Sequence, residues 1–469
     1  MGSSSKVSGS FRDPSGFVFQ SEGIIYRQIN SSYAENYDKL MQSGLYQRLI
    51  DEQLLIPHVE IDVNHAPGKD AYKVIRPDQI AYLSYPYEWC FSQLKDAALA
   101  TLNIQQIALQ FGMSLKDASG FNIQFHHGKA VLIDTLSFEA YVKDQAWIAY
   151  RQFCQHFLAP LLLISYRSYD LIKLLRTHID GIPLELASRL LPRSTWLRYS
   201  IVSHIHLHAR VQQRFADSAQ EATSNSARQV KVSKLGLVGL LDGLQSMLRK
   251  LQWNPGQTEW GDYYADTNYQ DESMQNKLDL VQDFVGRSEK TDQLVIDFGA
   301  NTGRFSRVAM ELGHTVVAQD VDEVAVEKCY QQSLSESETR LLPLVQDLSN
   351  PSPRLGWAHE ERMSLLDRGP ADTVLALALI HHLAIANNTP LAHCAAFFAS
   401  CCDRLVIEFV PKSDSQVRRL LATREDIFPD YHKQGFEAAF LNYFELCACE
   451  SIAESDRHLY LFNKIGAGQ

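Results

Sequence analysis

VIDFGANTGRFS, residues 295–306, reads as a buried strand that runs into a glycine turn and straight on into a helix. Gly299 and Gly303 permit a tight turn and let backbone approach a ligand closely. Asp297 stands just before the turn. The next strand, Thr315 to Asp320, ends in a carboxylate placed to take both hydroxyls of a ribose. A third strand, Leu342 to Gln346, runs into Asp347, where an adenine amino group can be read. Outward from this core the pattern repeats. Helices are predicted at Arg304–Leu312, Asp322–Ser333 and Leu391–Cys401, and strands at Thr373–Ala378 and Arg404–Val410. Strands alternating with helices of this length predict a parallel sheet covered on both faces. Two final strands, Phe444–Ile452 and His458–Asn463, are expected as an antiparallel edge hairpin. Cys447 and Cys449 on the first of them read as buried thiols.

In order and spacing this set resembles the class I S-adenosylmethionine (SAM)-dependent methyltransferases, from about Gly256 to the C-terminus. Asp297 to Gly303 resembles their motif I, Asp320 their ribose-binding acid and Gln346-Asp347 their adenine-contacting pair. Ala376 to Leu383 sits where the family has its motif after strand 4. The resemblance implies a Rossmann-like seven-stranded sheet with SAM held by Asp297, Gly299, Asn301, Gly303, Asp320, Gln346 and Asp347. It also implies that Tyr264, Tyr269 and Lys277, ahead of the first strand, fold over the methionine end of the donor. More loosely, this half resembles nodulation-type methyltransferase-like proteins. A dinucleotide site would carry GxGxxG, which Gly299-x-x-x-Gly303 does not match. His381 and His382 follow strand 4 at the carboxyl edge of the sheet and are the candidate catalytic residues, since an imidazole accepts a proton near neutral pH. They read equally as packing and capping groups. Glu408 either faces the acceptor or forms surface ion pairs.

Residues 11–252 read as an α+β domain. Phe17–Ile29 is expected as a hairpin, Ser31–Leu55 as a helix, Val59–Val63, Tyr72–Ile75 and Ile80–Tyr85 as strands, and Glu88–Phe111 as a long helix. Asp117 is followed five residues on by Asn122, and a hairpin leads to Asp134. This order resembles the catalytic loop and metal-binding acid of the protein-kinase-like phosphotransferases. The resemblance implies that Asp117 orients a hydroxyl, and that Asn122 and Asp134 hold Mg2+ on ATP. Arg27 falls at the place of the ATP-binding lysine, with Glu35 as its helix partner and Lys73 as a second candidate. Leu115-Lys116 replaces the usual His-Arg, Thr135-Leu136 replaces Phe-Gly, and no glycine-rich phosphate loop is evident. His204, His206 and His208 alternate, but the surrounding pattern is helical, which spreads them around the axis as structural groups.

With 469 residues, 45% hydrophobic and 21% charged, the chain has room for two or three folded domains. A net charge of −11 argues against gripping nucleic acid by bulk charge. Eight cysteines without paired CxxC motifs argue against a disulfide scaffold and a structural zinc. The longest apolar run, Phe157 to Tyr166, is too short to span a bilayer and is broken by Pro160. The start, MGSSSKVSGS, has no apolar region of a signal peptide. The expectation is a cytoplasmic protein with a flexible tail at 1–10, a mobile segment at 217–233 and a domain boundary near 252. It transfers methyl groups from SAM to a small-molecule, sugar or peptide acceptor. The alternatives are a bifunctional methyltransferase–phosphotransferase, or a non-catalytic scaffold of two degenerate enzyme folds.

Overall fold

The computed structural model describes residues 5–207, 231–256, 271–422 and 424–466. Tyr264, Tyr269, His208 and residues 217–230 lie outside the described residues. The chain divides into two compact units. One is Met1–Asn254 together with Leu355–Arg362, and the other is Pro255–Arg354 together with Met363–Gln469.

The first unit begins with an antiparallel sheet in the order β1-β2-β3-β5-β4: β1 Ser5–Lys6, β2 Gly16–Ser21, β3 Ile24–Asn30, β4 His58–Ile61 and β5 Ala71–Pro77. The β2–β3 hairpin turns at Glu22-Gly23, both at positive φ, the backbone a two-residue hairpin needs. The expected tail is partly structured: Ser5 and Lys6 pair with Gln20 and Phe19 as an edge strand, and Ser8 Oγ donates to the Glu360 carbonyl. The expected helix over Ser31–Leu55 breaks into Ala34–Gln42 and Leu45–Asp51, because Gly44 takes a left-handed φ of 87°. The expected strand at Ile80–Tyr85 does not form. The Gln124 side chain instead accepts from Ser84 N and donates to Ser84 O, both at 2.8 Å, standing in for a partner strand.

The long helix Phe91–Gln110 follows, then β6 Met113–Leu115, the hairpin β7 Ile123–His126 with β8 Lys129–Leu132, and β9 Phe138–Ala140, which pairs with β6. The helical remainder holds His204 against Tyr150 at 2.6 Å, and His206 between Ser188 and Thr195 at 2.7 and 2.9 Å. These histidines are packing groups.

The second unit is a seven-stranded sheet in the order β12-β11-β10-β13-β14-β16-β15. Its strands are β10 Leu294–Phe298, β11 Thr315–Asp320, β12 Leu341–Val345, β13 Ala371–Ala376, β14 Cys402–Phe409, β15 Phe444–Ser451 and β16 His458–Lys464. The first five run parallel and β16 is antiparallel to both its neighbours. The last two strands form the expected antiparallel hairpin at the edge of the sheet, with β16 against β14 and β15 outermost. Apolar burial explains the placement, since Leu459, Tyr460, Leu461 and Phe462 are all buried. The edge falls to β15, where Cys447 is exposed and Cys449 half-buried, which corrects their reading as core thiols. Helix Asp271–Gly286 covers one face through Val281, Phe284 and Val285. Among the described residues no helix is long and apolar enough to cross a membrane.

Candidate functional site

The second unit contains a cavity of about 370 Å³ at the carboxyl ends of β10 to β13. In an open α/β sheet this is the place where ligands sit, beside the reversal of strand order. The glycine turn forms one wall. Gly299 and Ala300 both donate their N–H to the Gln319 carbonyl, which ties the turn to the end of β11. Gly299 holds φ +76° and Asn301 +51°, so the backbone curls back on itself before the Arg304–Glu311 helix starts. Gly303 does something else. It does not line the cavity, and a Cβ on it would lie 2.6 Å from Cys329 Sγ. Its assignment to cofactor contact is corrected: the missing side chain serves helix packing, as the last glycine of such turns does.

Two carboxylates face this wall. Asp320 accepts from Asn301 N at 2.7 Å and Asp322 N at 2.9 Å. Burial nevertheless raises its pKa to about 6, against the pull of those N–H groups. Asp297 accepts from Ser306 Oγ at 2.7 Å, and burial raises its pKa to about 7. Gln346 and Asp347 line the far side. Gln346 N donates to the Asp320 carbonyl at 2.7 Å, and its side chain is held by Ser352. Asp347 accepts from Ser349 N and Oγ.

Lys277 lines the cavity too, but as a rigid wall group. It is 2% exposed on its helix, with Nζ 2.6 Å from Glu408 and over the Phe305 ring. Burial lowers its pKa, opposed by Glu408. Glu408 is fully buried, so neither reading of it survives: it meets Lys277 and Arg457 inside the fold. Arg457 bonds onward to Asp414, which caps the Ser415–Leu421 helix. Sequence reasoning missed this network, although an acid inside the apolar run RLVIEFV was a signal for a buried partner.

The two histidines separate. His382 lines the cavity, and burial lowers its pKa to about 4. His381 does not line it. It is 2% exposed with Nδ1 lacking a hydrogen-bond partner, and burial drives its pKa well down. Both rings are neutral at pH 7 and poorly matched to take up a proton there.

In the first unit Asp117 and Asn122 come together. The half-buried Asp117 carboxyl accepts from Ser119 N at 2.9 Å, is bonded by Asn122 and Gln152, and has its pKa raised by burial. Asp134 accepts from Leu136 N and lies 2.6 Å from the Arg27 guanidinium. The expected Arg27–Glu35 pair is corrected, since Glu35 is exposed on the first turn of its helix. Lys73 pairs with Glu60 instead. The expected magnesium ligand Asp134 thus meets a side-chain cation. Among the described residues no cluster of three or more His, Cys, Asp or Glu side chains is arranged to hold a metal.

Five parallel strands with an inserted antiparallel seventh, a glycine turn after the first, and acids after the second and third are the fold of the class I SAM-dependent methyltransferases. The chain belongs to the family of nodulation protein NoeA. It is 35% identical to that protein from Rhizobium meliloti (strain 1021) over 463 residues, 98% of this chain and 96% of the relative. No protein-family model matches. Likenesses to solved structures are partial. Magnesium protoporphyrin IX methyltransferase (ChlM) from Synechocystis PCC 6803 with bound SAH is 19% identical, over 45% of this chain and 90% of its own, at a TM-score of 0.30. The N-methyltransferase NodS from Bradyrhizobium japonicum WM9 is 9% identical, over 41% and 97%, also at 0.30.

Proposed function

We propose that the second unit moves the methyl group of SAM to a small-molecule, sugar or peptide acceptor. The observation that carries this is the cavity whose walls bring together Gly299, Asp320 and Asp347. Its size is at the low end for a single ligand site. The residues suit the donor: Asp320 would take the ribose hydroxyls, Gln346 and Asp347 the adenine edge, and the Gly299 turn the methionine portion. SAM supplies an electrophilic methyl on a sulfonium centre. The chain's own part is to hold and orient, and Met274, Phe305 and Leu379 give an apolar wall that excludes water. Glu408 offsets the Lys277 charge, so the wall does not repel a cationic donor. With His381 and His382 neutral and weakly basic, a neutral amine is favoured over a plain hydroxyl, because it attacks through its lone pair and the ammonium formed gives up its proton to solvent after the methyl has moved. The net charge disfavours long nucleic acid as acceptor. Eight free thiols support a reducing, cytoplasmic setting. The name of the relative supports a role in nodulation.

A second reading concerns the first unit: a kinase-like fold without working phosphotransfer. The Arg27–Asp134 ion pair favours it, because a guanidinium stands where ATP-bound Mg2+ would need the carboxylate. Calorimetric titration of the full chain separates the alternatives. Heat with S-adenosylhomocysteine (SAH) and none with ATP plus Mg2+ is expected. Micromolar ATP binding would make the protein bifunctional, and no SAH binding would leave a scaffold.

A further inference from the structure

Just after β13 the chain makes a costly move. Ala378 sits at φ +49°, in the left-handed region that a side chain with a Cβ disfavours. Such strain persists only where the surroundings over-determine it. Here a carboxylate holds the strained amide. Glu408 Oε2 accepts from Ala378 N at 2.8 Å and from Lys277 Nζ at 2.6 Å, while Oε1 accepts from Arg457 at 3.1 Å. Glu408 itself does not line the cavity, whereas Leu377, Ala378, Leu379 and Lys277 all do. Leu379 is also the side chain nearest to the Gly299 turn, 3.5 Å from where a Cβ would stand. A shift of the loop would therefore move Leu379 against the turn.

We infer that Glu408 is a positioning residue for the methyl-donor site, fixing the strained loop at Ala378 and the Lys277 side chain in the cavity wall without touching the ligand. The inference rests on the donor-site reading. Three donors converge on its two oxygens. An amide at this position has one oxygen and turns its NH2 toward a donor, so Glu408→Gln leaves one of the three badly served.

The test is a double-mutant cycle on the full chain, read as SAH affinity by calorimetry below the melting temperature, with Tm measured alongside. Glu408→Gln should weaken SAH at least fivefold. Because glycine adopts positive φ without strain, the same substitution in an Ala378→Gly background should cost measurably less, the remainder being the share of Lys277. An undiminished penalty in that background overturns the inference. So does a lowered Tm with unchanged SAH affinity, which is what a merely structural ion pair would give. Wild-type protein that binds no SAH sinks the donor-site reading and the inference with it. Hydrogen exchange on the wild type is independent of how the variants fold. The Ala378 amide should be strongly protected without ligand, and fast exchange there overturns the proposal.

Discussion

Asp134 in the first unit and Asp320 in the second are acids brought to a candidate site from the end of a strand, and the two units treat them in opposite ways. Asp134 is met by the Arg27 guanidinium, a full charge at 2.6 Å. Asp320 is held by two backbone N–H groups beside an open cavity, with its pKa raised to about 6 by burial. An ion pair uses up a carboxylate, because its best partner is already in place. A carboxylate held by peptide dipoles is oriented and still free to serve a ligand. That difference leaves Asp320 available to a ligand of the proposed donor site and commits Asp134 to Arg27.

The largest expected effect concerns Asp297. Its pKa, and that of Asp320, are raised above the usual carboxylate value, so the folded chain holds these protons more tightly than the unfolded one. The stability they contribute is fully present below the ordinary carboxylate value of about 4 and is lost as pH rises from there through about 6 and 7. His381 and His382 are shifted the other way, so their contribution is lost as pH falls below the usual imidazole value. Differencing against a variant isolates the acid. Asp297→Asn should gain stability relative to wild type between pH 5 and 8, by about 2–4 kcal/mol across the window. A pH-independent difference in denaturant melts would show that this carboxyl is not perturbed.

Next in size is Arg27→Met, which strands the Asp134 carboxylate. Removing one partner of a buried pair costs about 3–5 kcal/mol, and partial exposure here reduces that to about 2–3. Thermal melts should register the loss, and Arg27→Met/Asp134→Asn should regain most of it. SAH affinity should stay unchanged. A concomitant loss of SAH binding would break the contrast between the units.

Asp320→Ala follows. Bonds to a charged group contribute about 1.5–3 kcal/mol each, so SAH affinity should fall at least tenfold by calorimetry. Unchanged affinity would remove Asp320 from the site. Least of all, Cys447→Ser on the exposed edge strand should alter stability by under about 0.5 kcal/mol. A larger drop in a chemical melt would show that the thiol packs against a partner.

Much of the second unit was legible. The run into Gly299, the acid at Asp320 and the pair at Gln346-Asp347 carry their meaning locally, in φ preferences, strand length and position at a strand's end. The same local rules failed where a distant group intervened. Ser84 looked like strand until the Gln124 amide took its main-chain bonds. Gly303 looked like a ligand contact until Cys329 packed on it.

The sequence alone determined the alternation of strand and helix, the place of the turn and the acids around it, because these follow from apolar period and backbone sterics within a few residues. Only the tertiary structure decided that β16 lies between β14 and β15, that Leu355–Arg362 joins the first unit, and that Arg27 takes Asp134 while Glu408 takes Lys277, Ala378 and Arg457. The reason is physical. A buried charge must find an opposite charge or a hydrogen-bond donor wherever packing brings one. Here those partners lie from 30 to more than 100 residues away, in a direction no local pattern records.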